Sequence, residues 1–134
     1  MSLDKAIDEA QKEVPECLAV GYVDMVSGML LGVDTVDSHP NEVLDLVAAT
    51  TGDLFQGKNV TEIENMFKKN RGTDDDVSHY FNEIIVLSKN LIHVFIRSKK
   101  NQDQAAVFVT RLSANIGMVL VKSRSATQKL EAAV

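Results

Sequence analysis

Apolar residues recur along this chain in two rhythms, one helical and one of strands, and the rhythms divide it into elements. Leu3, Ile7, Ala10 and Val14 fall on one face of a helix from Leu3 to Val14, with Asp4, Asp8, Glu9 and Glu13 mainly elsewhere, and Pro15 stops it. Cys17 to Met25 is apolar on both faces and reads as a strand, Ser27-Gly28 as a turn, and Met29 to Val33 as the returning strand. Ser38-His39-Pro40 opens a long helix that ends at Gly57. Val43, Val47, Thr51 and Leu54 line one side of it, and Leu44, Leu46, Ala48, Ala49 and Phe55 widen the stripe beyond what one core face needs. A further helix spans 60–70, with Thr61 and Glu64 at capping-box spacing, Ile63, Met66 and Phe67 as its apolar side, and Gly72 as its stop.

The second half of the chain is built mostly of strands. An acidic loop, Asp74 to Asp76, leads to a strand over 80–88, a turn at Lys89-Asn90, a partner strand from Leu91 to Arg97, a polar turn, and a last strand from Ala105 to Arg111. Val107, Phe108 and Val109 are consecutive and apolar, which suits a strand covered on both faces. Ser113 is placed to cap the helix that follows, in which Ile116, Val119 and Leu120 recur at helical spacing. Gly117 inside its first turns costs about 1 kcal/mol against alanine, so close approach to a neighbouring backbone is expected there.

The run Ser113-Ala114-Asn115-Ile116-Gly117-Met118 follows an apolar strand and leads to Lys122 and Arg124. It resembles the last strand and last helix of the Roadblock family of dynein light chain type. Asp24 and Gly28 fit the first hairpin of that family, and the order of elements matches it over nearly the whole chain, with the 60–70 helix as an addition. The resemblance implies one α/β (α+β) domain over 1–134 with a profilin-like fold. Its five-stranded antiparallel sheet would carry the first and last helices on one face and the middle helix on the other. It also implies a non-enzymatic homodimer that scaffolds or regulates a small GTPase of the Ras-like type.

Composition narrows the function classes. A net charge of −5 leaves no global basic field for nucleic acid, and no stretch has the ~20 apolar residues needed to enter and span a membrane. The charged N-terminus has no signal-peptide core, and the single Cys17 excludes an internal disulfide framework, so a cytoplasmic protein is expected. His39, His79 and His93 share no ligand spacing with one another or with Cys17, and the acidic loop lacks an EF-hand pattern, so neither a metal nor a cofactor is expected. His93 alternates with Leu91, Phe95 and Arg97 and reads as a half-buried, hydrogen-bonded histidine; no catalytic set assembles from spacing. Met25, Met29, Met66 and Met118 read as core filling.

In the family topology the 80–88 strand lies at a sheet edge. Its run Ile84-Ile85-Val86-Leu87 carries no proline, glycine or charge, the devices that keep edges from pairing. Tyr80, Ile84, Ile85, Val86 and Leu87, together with Leu44, Leu46 and Val47 of the long helix, are therefore the expected dimer interface. Asp45, Asp53 and Lys58 are candidate contacts to the GTPase. An alternative fate for the edge is coverage by the 60–70 helix. Two rival functions stay open: a small-molecule sensor, which would need an apolar cavity with convergent polar groups, and an enzyme, which would need His93 beside a nucleophile in a pocket.

Overall fold

The structure, a computed structural model, describes residues 2–37, 41–72 and 79–134, and of 41–46 the backbone alone. The chain runs α1 (Leu3–Glu13), β1 (Cys17–Asp24), β2 (Met29–Thr35), α2 (Asn41–Gln56), α3 (Lys58–Asn70), β3 (Glu83–Leu87), β4 (Leu91–Arg97), β5 (Gln104–Arg111) and α4 (Ile116–Ala132). The strands make one antiparallel sheet in the order β2-β1-β5-β4-β3. The Ser38-His39-Pro40 helix start and the Asp74–Asp76 loop lie outside the described residues.

The central strands β1 and β5 are apolar on both faces because both faces are covered. Against one face, α1 and α4 bury Ile7, Ala10, Val119, Ala126 and Leu130 on Val20, Tyr22, Val94 and Phe108. Against the other, α2 buries Ala48 and Phe55 on Val23, Met25, Phe95, Ala105 and Val107. Close contact between α1 and the sheet depends on Gly32 of β2. A Cβ there would lie 2.6 Å from Ile7 Cδ1 and 3.2 Å from Leu3 Cδ2. In the hairpin between β1 and β2, Gly28 supplies a φ of 72°. Asp24 Oδ1 accepts the N–H groups of Val26 and Ser27, at 3.0 and 3.1 Å, and so closes the turn.

Several local expectations are corrected. The cap of α4 is Asn115, whose Oδ1 accepts the Met118 N–H at 3.1 Å; the helix begins at Ile116, too late for Ser113, which donates to Glu16 instead. Gly117 is exposed, and a Cβ there would meet only Asn115 Oδ1, at 3.3 Å, so no close backbone approach explains it. Ile116 overhangs the first turn and is also exposed. Of the methionines, Met25 is buried, but Met29, Met66 and Met118 are exposed. Glu83 to Leu87 is the whole of β3, so Tyr80 precedes the strand rather than opening it.

The helix expected over 60–70 starts at Lys58, with only Gly57 between it and α2. Thr61 and Glu64 therefore lie within its first two turns and form no capping box. Thr61 donates back to the Gln56 carbonyl, and the Glu64 carboxylate turns inward. Helix α3 packs on α2 and on the segment before β3 rather than along β3, so it leaves the sheet edge open.

Candidate interaction surface

Among the described residues, strand β3 has a strand partner on one side only. Ser88 N–H donates to Leu91 O, and Arg97 N–H donates to Asn82 O. In an antiparallel ladder the bonded positions alternate, so Ile84 and Val86 bond to β4, while the N–H and C=O groups of Glu83, Ile85 and Leu87 point off the sheet. The edge is apolar on both sides of the strand: Ile85, Val86 and Leu87 are 41%, 39% and 60% exposed. Ile84 packs partly into the α2-side core. Glu83 alone is charged, and Arg124 of α4 holds it through two bonds of 2.8 Å. That guanidinium pulls the Glu83 carboxyl below its ordinary range.

A buried polar clamp fixes this edge relative to α2. Arg97 ends β4 on the α2 side, where its guanidinium lies 4.9 Å from the Phe55 ring centroid. It donates to Phe81 O at 2.8 Å, Gln56 Oε1 at 2.8 Å, Gln102 O at 2.6 Å and Phe55 O at 3.0 Å. One side chain thus ties the end of α2, the lead into β3 and the turn between β4 and β5. Glu64 of α3 completes the clamp, with Oε1 3.0 Å from His79 Nδ1 and Oε2 accepting the Tyr80 N–H at 2.6 Å. Burial raises the Glu64 carboxyl's pKa, but those bonds and the charges of His79 and Arg97 outweigh it and hold the group below its ordinary range.

Over β2, β1, β5 and β4, α2 leaves an apolar trough of about 650 Å³ open on its face of the sheet. Leu30, Val33, Leu91, Val109 and Val47 contribute to its walls, together with His93. His93 Nε2 lies 3.2 Å from Ser88 Oγ, and burial lowers its pKa, which favours the neutral ring. Sequence spacing did not reveal this pairing. Among the described residues no carboxylate bonds to the other ring nitrogen, so the pair lacks the orienting group of a hydrolytic triad.

The expected interface residues divide as follows. Ile84, Ile85, Val86 and Leu87 stand together on the edge, and Val47 of α2 is exposed at 39%. Tyr80 lies apart from the edge, stacked on Phe67 with centroids 6.0 Å apart. Asp53 and Lys58 are exposed around the α2–α3 junction. The side chains of Leu44, Asp45 and Leu46 lie outside the described residues. Cys17 is partly buried and hydrogen-bonded, and desolvation pushes its pKa up to about 11, which suits an inert thiol. Among the described residues no cluster of His, Cys, Asp or Glu could hold a metal ion, and no helix is long and apolar enough to cross a membrane.

No protein-family model matches the sequence, and no curated protein matches it. Solved structures do. The Roadblock/LC7 domain from Streptomyces avermitilis superposes with a TM-score of 0.69 at 11% identity, over 98% of this chain and 97% of that one. The gliding protein MglB of Thermus thermophilus gives 0.70 at 16% identity, over 98% and 87%. MglC of Myxococcus xanthus gives 0.60 at 18% identity, over the whole of both chains. The agreement extends from α1 through α4, and the chain has the Roadblock fold.

Proposed function

We infer that this chain is a non-enzymatic regulatory or scaffold module that acts in the cytoplasm as a homodimer and binds a small GTPase of the Ras-like type. The observation that carries the reading is the open edge of β3. Its outward N–H and C=O groups are flanked by exposed Ile85, Val86 and Leu87, with no proline or bulge, and with no charge beyond Glu83 at its start, to protect it as the edge of a monomer is protected. Pairing with a symmetry mate satisfies those groups and continues the sheet through a twofold axis. On α2 the proposed interface residues are Leu44, Leu46 and Val47, of which Val47 is exposed on the wall of the apolar trough.

The resemblance to Roadblock domains supports the GTPase as partner, and the composite surface of two α2–α3 junctions, with Asp45, Asp53 and Lys58, is its docking face. The reading is tested by immobilising the wild-type protein and a monomeric β3 variant and passing over them a Ras-like GTPase loaded with GDP or a GTP analogue. Nucleotide-dependent binding by the dimer alone is expected. Equal binding by monomer and dimer, or none by either, contradicts the reading. One observation favours a second reading, that of a small-molecule sensor: the trough, apolar but for His93, Thr35, Thr50 and Asp37, has the size and lining of a ligand site. An apolar ligand that raises the melting temperature of the intact dimer would favour it.

A further inference from the structure

Helix α3 is amphipathic with its sides reversed. Its inward positions carry charge: Glu64 and Lys68 are 2% and 6% exposed, Glu64 bonded to His79 and Tyr80, and Lys68 Nζ 5.7 Å from the Tyr80 ring centroid. Its apolar positions face out: Ile63, Met66 and Phe67 are 43%, 64% and 48% exposed. A soluble helix normally does the opposite, and three large apolar side chains on one stripe mark a contact surface rather than scattered exposure.

We propose that this stripe is a self-association surface on which α3 of a second copy packs antiparallel. The charges on its outer flank carry the choice of occupant. Glu62 and Lys69 are both exposed and seven residues apart, so they share one flank, about 20° apart around the helix. When a helix packs antiparallel on its own copy, each flank meets the same flank in reverse order. A twofold axis beside Met66 then sets Glu62 against Lys69 of the second copy, and Lys69 against its Glu62, while Ile63 meets Phe67. The pairing is self-complementary in shape and in charge. A parallel pair would set this flank against the opposite flank of the second copy, and Glu62 and Lys69 would not meet.

This surface is separate from the β3 edge, so the two contacts combine: copies paired through β3 would pair again through α3. A single short helix pair is small beside a standard interface, so the second contact is concentration-dependent. Sedimentation velocity from the micromolar to the sub-millimolar range tests it in the wild type and in Ile85→Pro, which blocks the β3 edge. The particle mass is expected to double with concentration in both backgrounds, from two copies to four in the wild type and from one to two in Ile85→Pro. Glu62→Lys should abolish the doubling, and Glu62→Lys with Lys69→Glu should restore it. Both residues are exposed, so folding is preserved, and circular dichroism verifies this. A mass independent of concentration in both backgrounds overturns the proposal, as does a double variant that fails to restore doubling. If Ile85→Pro stays dimeric and Glu62→Lys makes it monomeric, the α3 contact stands and the β3 reading falls.

Discussion

Arg97→Met removes the guanidinium that ties α2, the lead into β3 and the turn between β4 and β5, and keeps most of the side chain's volume. Four donated bonds are lost, to Phe81 O, Gln56 Oε1, Gln102 O and Phe55 O. Bonds to a charged donor are each worth about 1.5–3 kcal/mol, so the gross loss is roughly 6–12 kcal/mol by the same scale. Two effects reduce it. The desolvation cost of a buried cation disappears with the charge, which is why removing buried ions costs less than their bonds suggest. In addition, the Gln56 amide can turn to water, leaving Phe55 O as the acceptor that stays most enclosed. The net expectation is a loss of about 3–5 kcal/mol. Arg97→Lys, which keeps the charge but not the fork, should lose less, about 1–3 kcal/mol. Urea unfolding followed by circular dichroism, at unchanged m-value, reads both. A loss below about 1 kcal/mol for Arg97→Met would refute the claim that this side chain fixes the edge relative to α2.

Three further outcomes follow from the packing and electrostatics. Gly32→Val places branched atoms where Ile7 and Leu3 already lie, and thermal melting should show a loss of about 1–3 kcal/mol; an unchanged curve would mean α1 does not rest on β2 at that point. Asn115→Ala should cost about 1 kcal/mol through loss of the α4 cap, and Ser113→Ala clearly less in the same melt; the reverse order would restore Ser113 as the cap. Glu64 has a folded-state pKa below its unfolded value. Its contribution to stability is therefore full above the ordinary glutamate range and is lost as pH falls through the folded value. Urea midpoints of wild type and Glu64→Gln should converge on acidification, and parallel pH profiles would show that the clamp carries no such linkage.

Most of the fold was legible because its elements are locally consistent. Continuous apolar runs at Val107 to Val109 and Val94 to Ile96 mark strands of the covered sheet, and the Asp24 to Gly28 spacing marks the first hairpin. Periodicity was silent on direction. It located the apolar stripe of α3 but could not say that Ile63 and Phe67 face out, because the inward pull comes from His79, Tyr80 and Arg97, which are distant in sequence. The same limit hid the Arg97 clamp, whose acceptors are mostly backbone carbonyls brought together by the fold. In α4 the buried face is built largely of small residues, Ser123, Ala126 and Thr127, so the larger Ile116 and Met118 drew the stripe toward positions that are exposed. The edge position of β3 came from the family resemblance and its lack of proline and glycine from the sequence, but which of its N–H groups point outward required the register with β4.

That register makes the central claim testable with one pair of variants. Proline at Ile85 removes an N–H that points off the sheet, whereas proline at Val86 removes one that bonds to β4. Light scattering on a sizing column, at a concentration too low for the α3 contact, should give twice the chain mass of 14.7 kDa for the wild type. It should give the single-chain mass for Ile85→Pro, with a melting temperature close to that of other monomeric variants. Val86→Pro should be damaged in folding rather than in assembly alone. A wild-type protein of single-chain mass, or a folded Ile85→Pro that remains dimeric, would contradict pairing through β3.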